Sequence, residues 1–186
     1  MIFLAELWLP ILLSAVFVFI VSSLVHVVLH FHDADHSKLP DEDGVLEALS
    51  NHGVGSGSFV FPHGECNEMN TPEMKAKLEK GPVGFMTVLG PGGFNEGRSL
   101  LHWFLFCLLV GIFIAYISDL ALLPGEECLR VFRVVGATAF LGYGIPALQD
   151  SIWKGRSCKS SMKFVFDGLL YALVTAGTFA WLWPEA

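Results

Sequence analysis

The sequence predicts an all-α membrane protein: a four-transmembrane-helix bundle with a small α/β extramembranous insert between helices 1 and 2. Three observations carry this. Four apolar runs are long enough to cross a bilayer, the tryptophans collect at the ends of those runs, and one long connection has a different, mixed composition. The composition agrees, since 53% hydrophobic residues and only 16% charged ones, with a mean hydropathy of +0.58, exceed what a soluble globule carries.

Crossing a ~30 Å hydrocarbon core takes about 20 helical residues. The first run extends from Leu7 to about Leu29, with no acidic residue, lysine or arginine before Asp33. The second covers Leu100 to Ile117, the third Val134 to Ile152 and the fourth Phe164 to Trp183. Trp8, Trp103, Trp153, Trp181 and Trp183 all sit at run ends, where an indole keeps its ring among acyl chains and its N–H at the headgroups. The first run lacks a basic leader and a small-residue cleavage site, so it reads as an uncleaved anchor. The organisation is then residues 1–32 as transmembrane helix 1, 33–97 as the insert and 98–186 as transmembrane helices 2–4.

Alternation of faces puts the insert and the 153–163 connection on one side. That side carries Lys38, Lys75, Lys77, Lys80, Arg98, Lys154, Arg156, Lys159 and Lys163, against Arg130 and Arg133 on the other. The excess of positive charge predicts a cytoplasmic insert with both termini outside.

Within the insert, Pro40 and Asp41 introduce a short helix with Val45, Leu46, Ala48 and Leu49 on one side, stopped at Gly53. A brief strand is predicted at Phe59–Phe61. Thr71 caps a second helix that starts on Pro72 and ends at Gly81-Pro82. A stronger strand follows over Val83–Leu89. An α-β-α-β unit of this size buries little apolar area and is marginal alone, so it leans on the bilayer, the bundle or a partner.

Several function classes are excluded or left unsupported. No basic run exists to neutralise phosphates and the net charge is −7, so nucleic acid is not a partner. Cys66, Cys107, Cys128 and Cys158 fall in four different segments without metal-ligand spacing. No nucleophile elbow, phosphate-binding loop, dinucleotide fingerprint or H-E-x-x-H motif is present, so no catalytic residue is assigned.

Ionisable residues inside a membrane are costly and need a reason. Here they sort toward one end of the spans. Ser22, His26, His30 and Asp33 follow one another at helical spacing on the first run, His102 opens the second, Asp150 closes the third, and Asp167 lies one turn into the fourth. A polar intramembrane pocket made of these seven residues is the geometric expectation, with Asp167 inside the bundle and facing the His26/His30 stripe.

Three readings of that pocket stay open. In one, His26, His30 and His102 bind a transition metal, or His26 and His102 ligate haem, making a redox component. The four histidines His26, His30, His32 and His36 lie within eleven residues, which is a local enrichment. In another, the pocket handles a small solute or protons, helped by the helix-breaking Gly142-Tyr-Gly-Ile-Pro146, and the chain acts as an oligomer. In the third, Asp167 pairs with Lys163 or Arg156, the histidines snorkel, and the chain is an accessory or scaffold component partnered by the lipid bilayer, other membrane proteins or further copies of itself.

The whole chain also resembles a family of uncharacterised bacterial four-helix integral membrane proteins. The resemblance rests on Ser22-Ser-Leu-Val-His26, Lys38-Leu-Pro-Asp-Glu-Asp43, Gly81-Pro-Val-Gly-Phe-Met-Thr-Val88 and Ser151-Ile-Trp153. Its most distinctive stretch is Phe166-Asp-Gly-Leu-Leu-Tyr-Ala-Leu-Val-Thr-Ala-Gly-Thr-Phe-Ala-Trp-Leu-Trp-Pro184. It implies the bacterial cytoplasmic membrane and lends no catalytic role to any residue.

Overall fold

Wherever the sequence runs apolar for more than 18 residues, the chain is helical. A computed structural model describes residues 2–186. After a short α1 (Ile2–Glu6), α2 (Trp8–Ser23) begins the first span, with Pro10 in its first turn, where a missing N–H costs nothing. Four helical stretches are long and apolar enough to cross a membrane: Trp8–Val28, Glu96–Ala121, Cys128–Trp153 and Cys158–Trp181. The second is the single helix α5 (Glu96–Ala121) and the fourth is α8 (Cys158–Trp181), whose cap Ser157 accepts from the Ser160 N–H. Outward-facing Leu12, Phe17, Ile20, Leu105, Leu109 and Phe113 are all exposed. Such a band is unfavourable in water and at home in hydrocarbon, and the chain is a multi-pass membrane protein.

Two spans depart from α geometry. The first passes from α2 into a π-turn over Leu24–Val28. His30 then takes a left-handed conformation (φ 50°) that turns the chain back, and a 3-10 turn follows at Asp33–Asp35. The third span breaks between α6 (Cys128–Tyr143) and α7 (Leu148–Trp153), with a 3-10 turn at Ile145–Ala147. Pro146 has no N–H to continue the helix, which is the physical cause of the interruption.

The chain divides into two units. The first contains the residues up to His36 together with Glu96–Ser151 and Arg156–Ala186. In it α6 and α8 pack most extensively, α2 lies against α5 and α8, and α5 lies against α6. The core holds Ile11, Ile114, Val131, Val135, Ala176 and Phe179. The closest approach joins α8 to the break in the third span: a Cβ on Gly168 would strike the Gly144 Cα and the Tyr143 carbonyl carbon. Several hydroxyls in the spans bond to their own helix, as Thr175 and Thr178 do to the carbonyls of Tyr171 and Val174, both at 2.8 Å.

The second unit, Ser37–Asn95 with Ile152–Gly155, contains α3 (Glu42–Asn51), β1 (Gly57–Phe61), α4 (Pro72–Lys80) and β2 (Gly84–Val88). Asp41 caps α3 by accepting from the Gly44 N–H, and Thr71 caps α4 by accepting from the Met74 N–H. Gly81, at φ 61°, ends α4. The strands pair antiparallel, Phe59 opposite Met86 and Val60 opposite Phe85. Met74 is the buried hydrophobic residue of this unit among the described residues.

Two boundaries differ from the sequence reading. The second span begins at Glu96, ahead of Leu100, because the polar Glu96–Arg98 turn continues the helix. The bundle unit extends to His36, past residue 32, because Phe31, His32 and Asp35 fold onto the fourth span.

Candidate metal centre

Asp167 is almost wholly buried, with its side chain 2% exposed. A carboxylate at the centre of a membrane helix costs about 2.5–3.5 kcal/mol, and less toward the interface, so its surroundings decide whether it is tolerated. Its Oδ2 lies 2.7 Å from His32 Nε2 and 3.5 Å from His26 Nε2. The left-handed turn at His30 makes the first contact possible by carrying His32 back over the end of α8.

His32 is fixed on its other nitrogen as well: Nδ1 lies 2.6 Å from Asp35 Oδ2. Each of these N···O contacts needs one proton, so two protons are shared among His32 and its two carboxylate partners. The Asp35 carboxylate in turn accepts from Lys163 Nζ at 2.8 Å through Oδ1, and Lys163 also donates to the Phe31 carbonyl at 2.8 Å. The bond from Lys163 is the main reason the Asp35 carboxyl is lowered from 3.8 to about 2; desolvation opposes it, and the His32 contact adds to it. The His26 ring stacks on His32, with centroids 4.3 Å apart and planes 15° apart, and Phe164 lies beside both rings, 4.5 Å from His32 and 6.1 Å from His26.

One donor atom each from His26, His32 and Asp167 lies within 4.8 Å of the others, so the three can share a cation. Two imidazoles and a carboxylate suit Zn²⁺ and its borderline neighbours. Asp35 on the far nitrogen of His32 is the carboxylate–histidine arrangement that orients a ligating imidazole. An ion held here would take the place of the proton between Nε2 and Asp167. The parallel stack places the two ring planes apart, so His26 must pivot to aim its lone pair at the same point. Its side chain is 38% exposed and free to do so.

A cavity of about 380 Å³ adjoins this cluster, lined by residues of all four spans, including Ser22, His26, Trp103, Tyr143, Phe164 and Tyr171. Ser22 accepts from Trp103 Nε1 at 2.8 Å and donates to the Phe19 carbonyl at 2.9 Å.

Of the seven residues expected to form a polar pocket, Ser22, His26 and Asp167 line this cavity. His30 and Asp33 form a separate, exposed pair at 3.2 Å. Asp150 faces Arg156 at 3.5 Å. His102 is exposed on α5 and is not one of the three clustered donors. The metal reading thus shifts from His26, His30 and His102 to His26, His32 and Asp167, and the haem pairing of His26 with His102 gains no support. Lys163, expected near Asp167, is bonded to Asp35.

No family model matches the chain, and comparisons with curated proteins and with solved structures find no match.

Proposed function

We propose that the chain is a metal-binding component of its membrane, holding one divalent transition-metal ion through His26, His32 and Asp167. The observation that carries the reading is the doubly held His32, gripped by Asp35 on Nδ1, facing Asp167 through Nε2 and stacked on His26. Three protein ligands leave one tetrahedral position for water or a ligand. The accessory role expected from the sequence is compatible with this, since binding a metal requires no catalytic motif. We place the site at the cytoplasmic end of the spans of a bacterial inner-membrane protein, following the lysine and arginine excess on the side of the insert.

The test is metal analysis of the protein purified in detergent and dialysed against a zinc, cobalt and nickel mixture. The expected result is about one ion per chain, lost in His26→Ala, His32→Ala and Asp167→Asn and retained in His30→Ala and His102→Ala. Equal loading of all six proteins, or none in the parent, overturns the proposal.

A second reading has one specific observation in its favour. His32 between two carboxylates is a proton-sharing chain that reaches from Asp167 in the bundle to Lys163 at its end, the type of array that relays protons in membranes.

A further inference from the structure

Cavities within helix bundles form where backbone geometry is interrupted, and here two interruptions coincide. The π-turn at Leu24–Val28 supplies His26 and Val27 to the cavity, and the break in the third span supplies Tyr143 and Ala147. Irregular turns of this kind inside helices are frequent at functional sites, and broken membrane helices line the binding sites of transporters.

The walls define what fits. Trp103, Tyr143, Phe164 and Tyr171 present aromatic surface, which favours a flat ring. The Trp103 N–H and the hydroxyls of Ser22 and Ser23 are already engaged within the protein. Two lining residues are not fully engaged: Asp167 Oδ1 and the Tyr171 hydroxyl are buried without a hydrogen-bond partner among the described residues. A buried acceptor left unpaired costs about 1–3 kcal/mol, so an occupant that donates a hydrogen bond is favoured. The opposing imidazoles of His26 and His32 already face Asp167, and a neutral donor therefore suits it better than a second cation. At the rim, Val27 and Leu100 are 68% and 50% exposed, apolar side chains that admit a ligand from the acyl phase. A volume of 380 Å³ lies near the lower end of the ~300–1,000 Å³ range of small-molecule sites, room for one substituted ring with its tail left in lipid.

We propose that this cavity binds the hydroxyl-bearing ring of a lipid-soluble hydroquinone, with an O–H donating to Asp167 and the ring lying against Trp103 and Phe164. The proposal concerns binding alone and does not rest on the metal reading, although the two share His26 and Asp167.

The test uses the full chain in detergent, stripped with a chelator and kept anaerobic, titrated with decyl-hydroquinone, decyl-benzoquinone and decylbenzene while thermal stability is followed. Ligands that bind only the folded state stabilise it by RT ln(1 + [L]/Kd), so the melting temperature keeps rising with the logarithm of ligand concentration above Kd. The expected result is a melting temperature that rises with hydroquinone concentration as this relation requires, with at least tenfold weaker binding of the quinone and of decylbenzene, neither of which can donate. Leu100→Trp fills the mouth and abolishes the response while its own melting temperature reports an intact fold. Three equal affinities, no stabilisation by the hydroquinone, or an undiminished response in Leu100→Trp overturns the proposal. Metal uptake measured on aliquots of the same protein freed of chelator separates the two readings, because hydroquinone binding without metal uptake refutes only the metal site, and the converse refutes only this one.

Discussion

His32 Nε2 and Asp167 Oδ2 meet at 2.7 Å across 135 positions of sequence. The contact ties the segment that follows the first span to the inside of the fourth. Because His32 is held by Asp35, and Asp35 by Lys163, the tie is a chain of four alternating groups, two of them on α8.

Breaking that chain at Lys163 exposes its energetic role. Asp35 and Lys163 are 5% and 13% exposed at their side chains, and removing one partner of a buried pair costs about 3–5 kcal/mol. Lys163→Met is expected to lower the melting temperature in detergent strongly, and Asp35→Asn in the same background to restore part of the loss. A double variant as unstable as the sum of the two singles contradicts the pairing. Acid acts the same way. The Asp35 carboxyl is depressed from 3.8 to about 2, so its contribution is fully present above pH ~4 and disappears as the pH falls through ~2.

The approach of α8 to the third span is tested by one methyl group. Gly168→Ala forces backbone against backbone at Gly144 and is expected to cost about 1–3 kcal/mol. Gly177, on the same helix, has nothing within 4 Å of an added Cβ. Gly177→Ala is therefore neutral or stabilising, by up to ~1 kcal/mol. Melting curves of the two variants in detergent check both, and equal behaviour contradicts the packing.

Trp103 and Ser22 link the second span to the first. Hydrogen bonds between membrane helices average about 0.6 kcal/mol in double-mutant cycles. A cycle of Ser22→Ala and Trp103→Phe is expected to give a coupling of that order, and a zero coupling shows that the bond does not form.

The native cysteines report topology. Cys66, Cys128 and Cys158 are exposed and Cys107 is buried. With each kept singly, a membrane-impermeant maleimide is expected to label Cys66 and Cys158 from one face and Cys128 from the other. Labelling of Cys66 and Cys158 from opposite faces contradicts four crossings.

The spans were legible because hydropathy and tryptophan placement depend only on local sequence, and Gly142–Pro146 announced the break in the third span. The burial of Asp167 was legible from the cost of a carboxylate in lipid. One partner, His26, was legible with it and lies 3.5 Å away, but the nearer one, His32 at 2.7 Å, was not. Regular helical spacing carried past His26 selects His30 and Asp33, but the π-turn and the left-handed His30 end that register, and no residue pattern announces a π-turn. The signal available was His32-x-x-Asp35 beside an aromatic residue, a histidine with its own carboxylate three positions on, within a segment already rich in histidine. The attachment of Lys163 to Asp35 depends on the same reversal and was equally hidden.

X-ray absorption at the metal edge of the zinc-loaded protein tests the central claim most directly. The account predicts a shell of nitrogen and oxygen at about 2.0–2.2 Å, with outer-shell scattering from two imidazoles, and loss of the bound-metal signal in His32→Ala. A shell containing sulfur at about 2.3 Å, or a spectrum unchanged by His32→Ala, would place the ion elsewhere and contradict it.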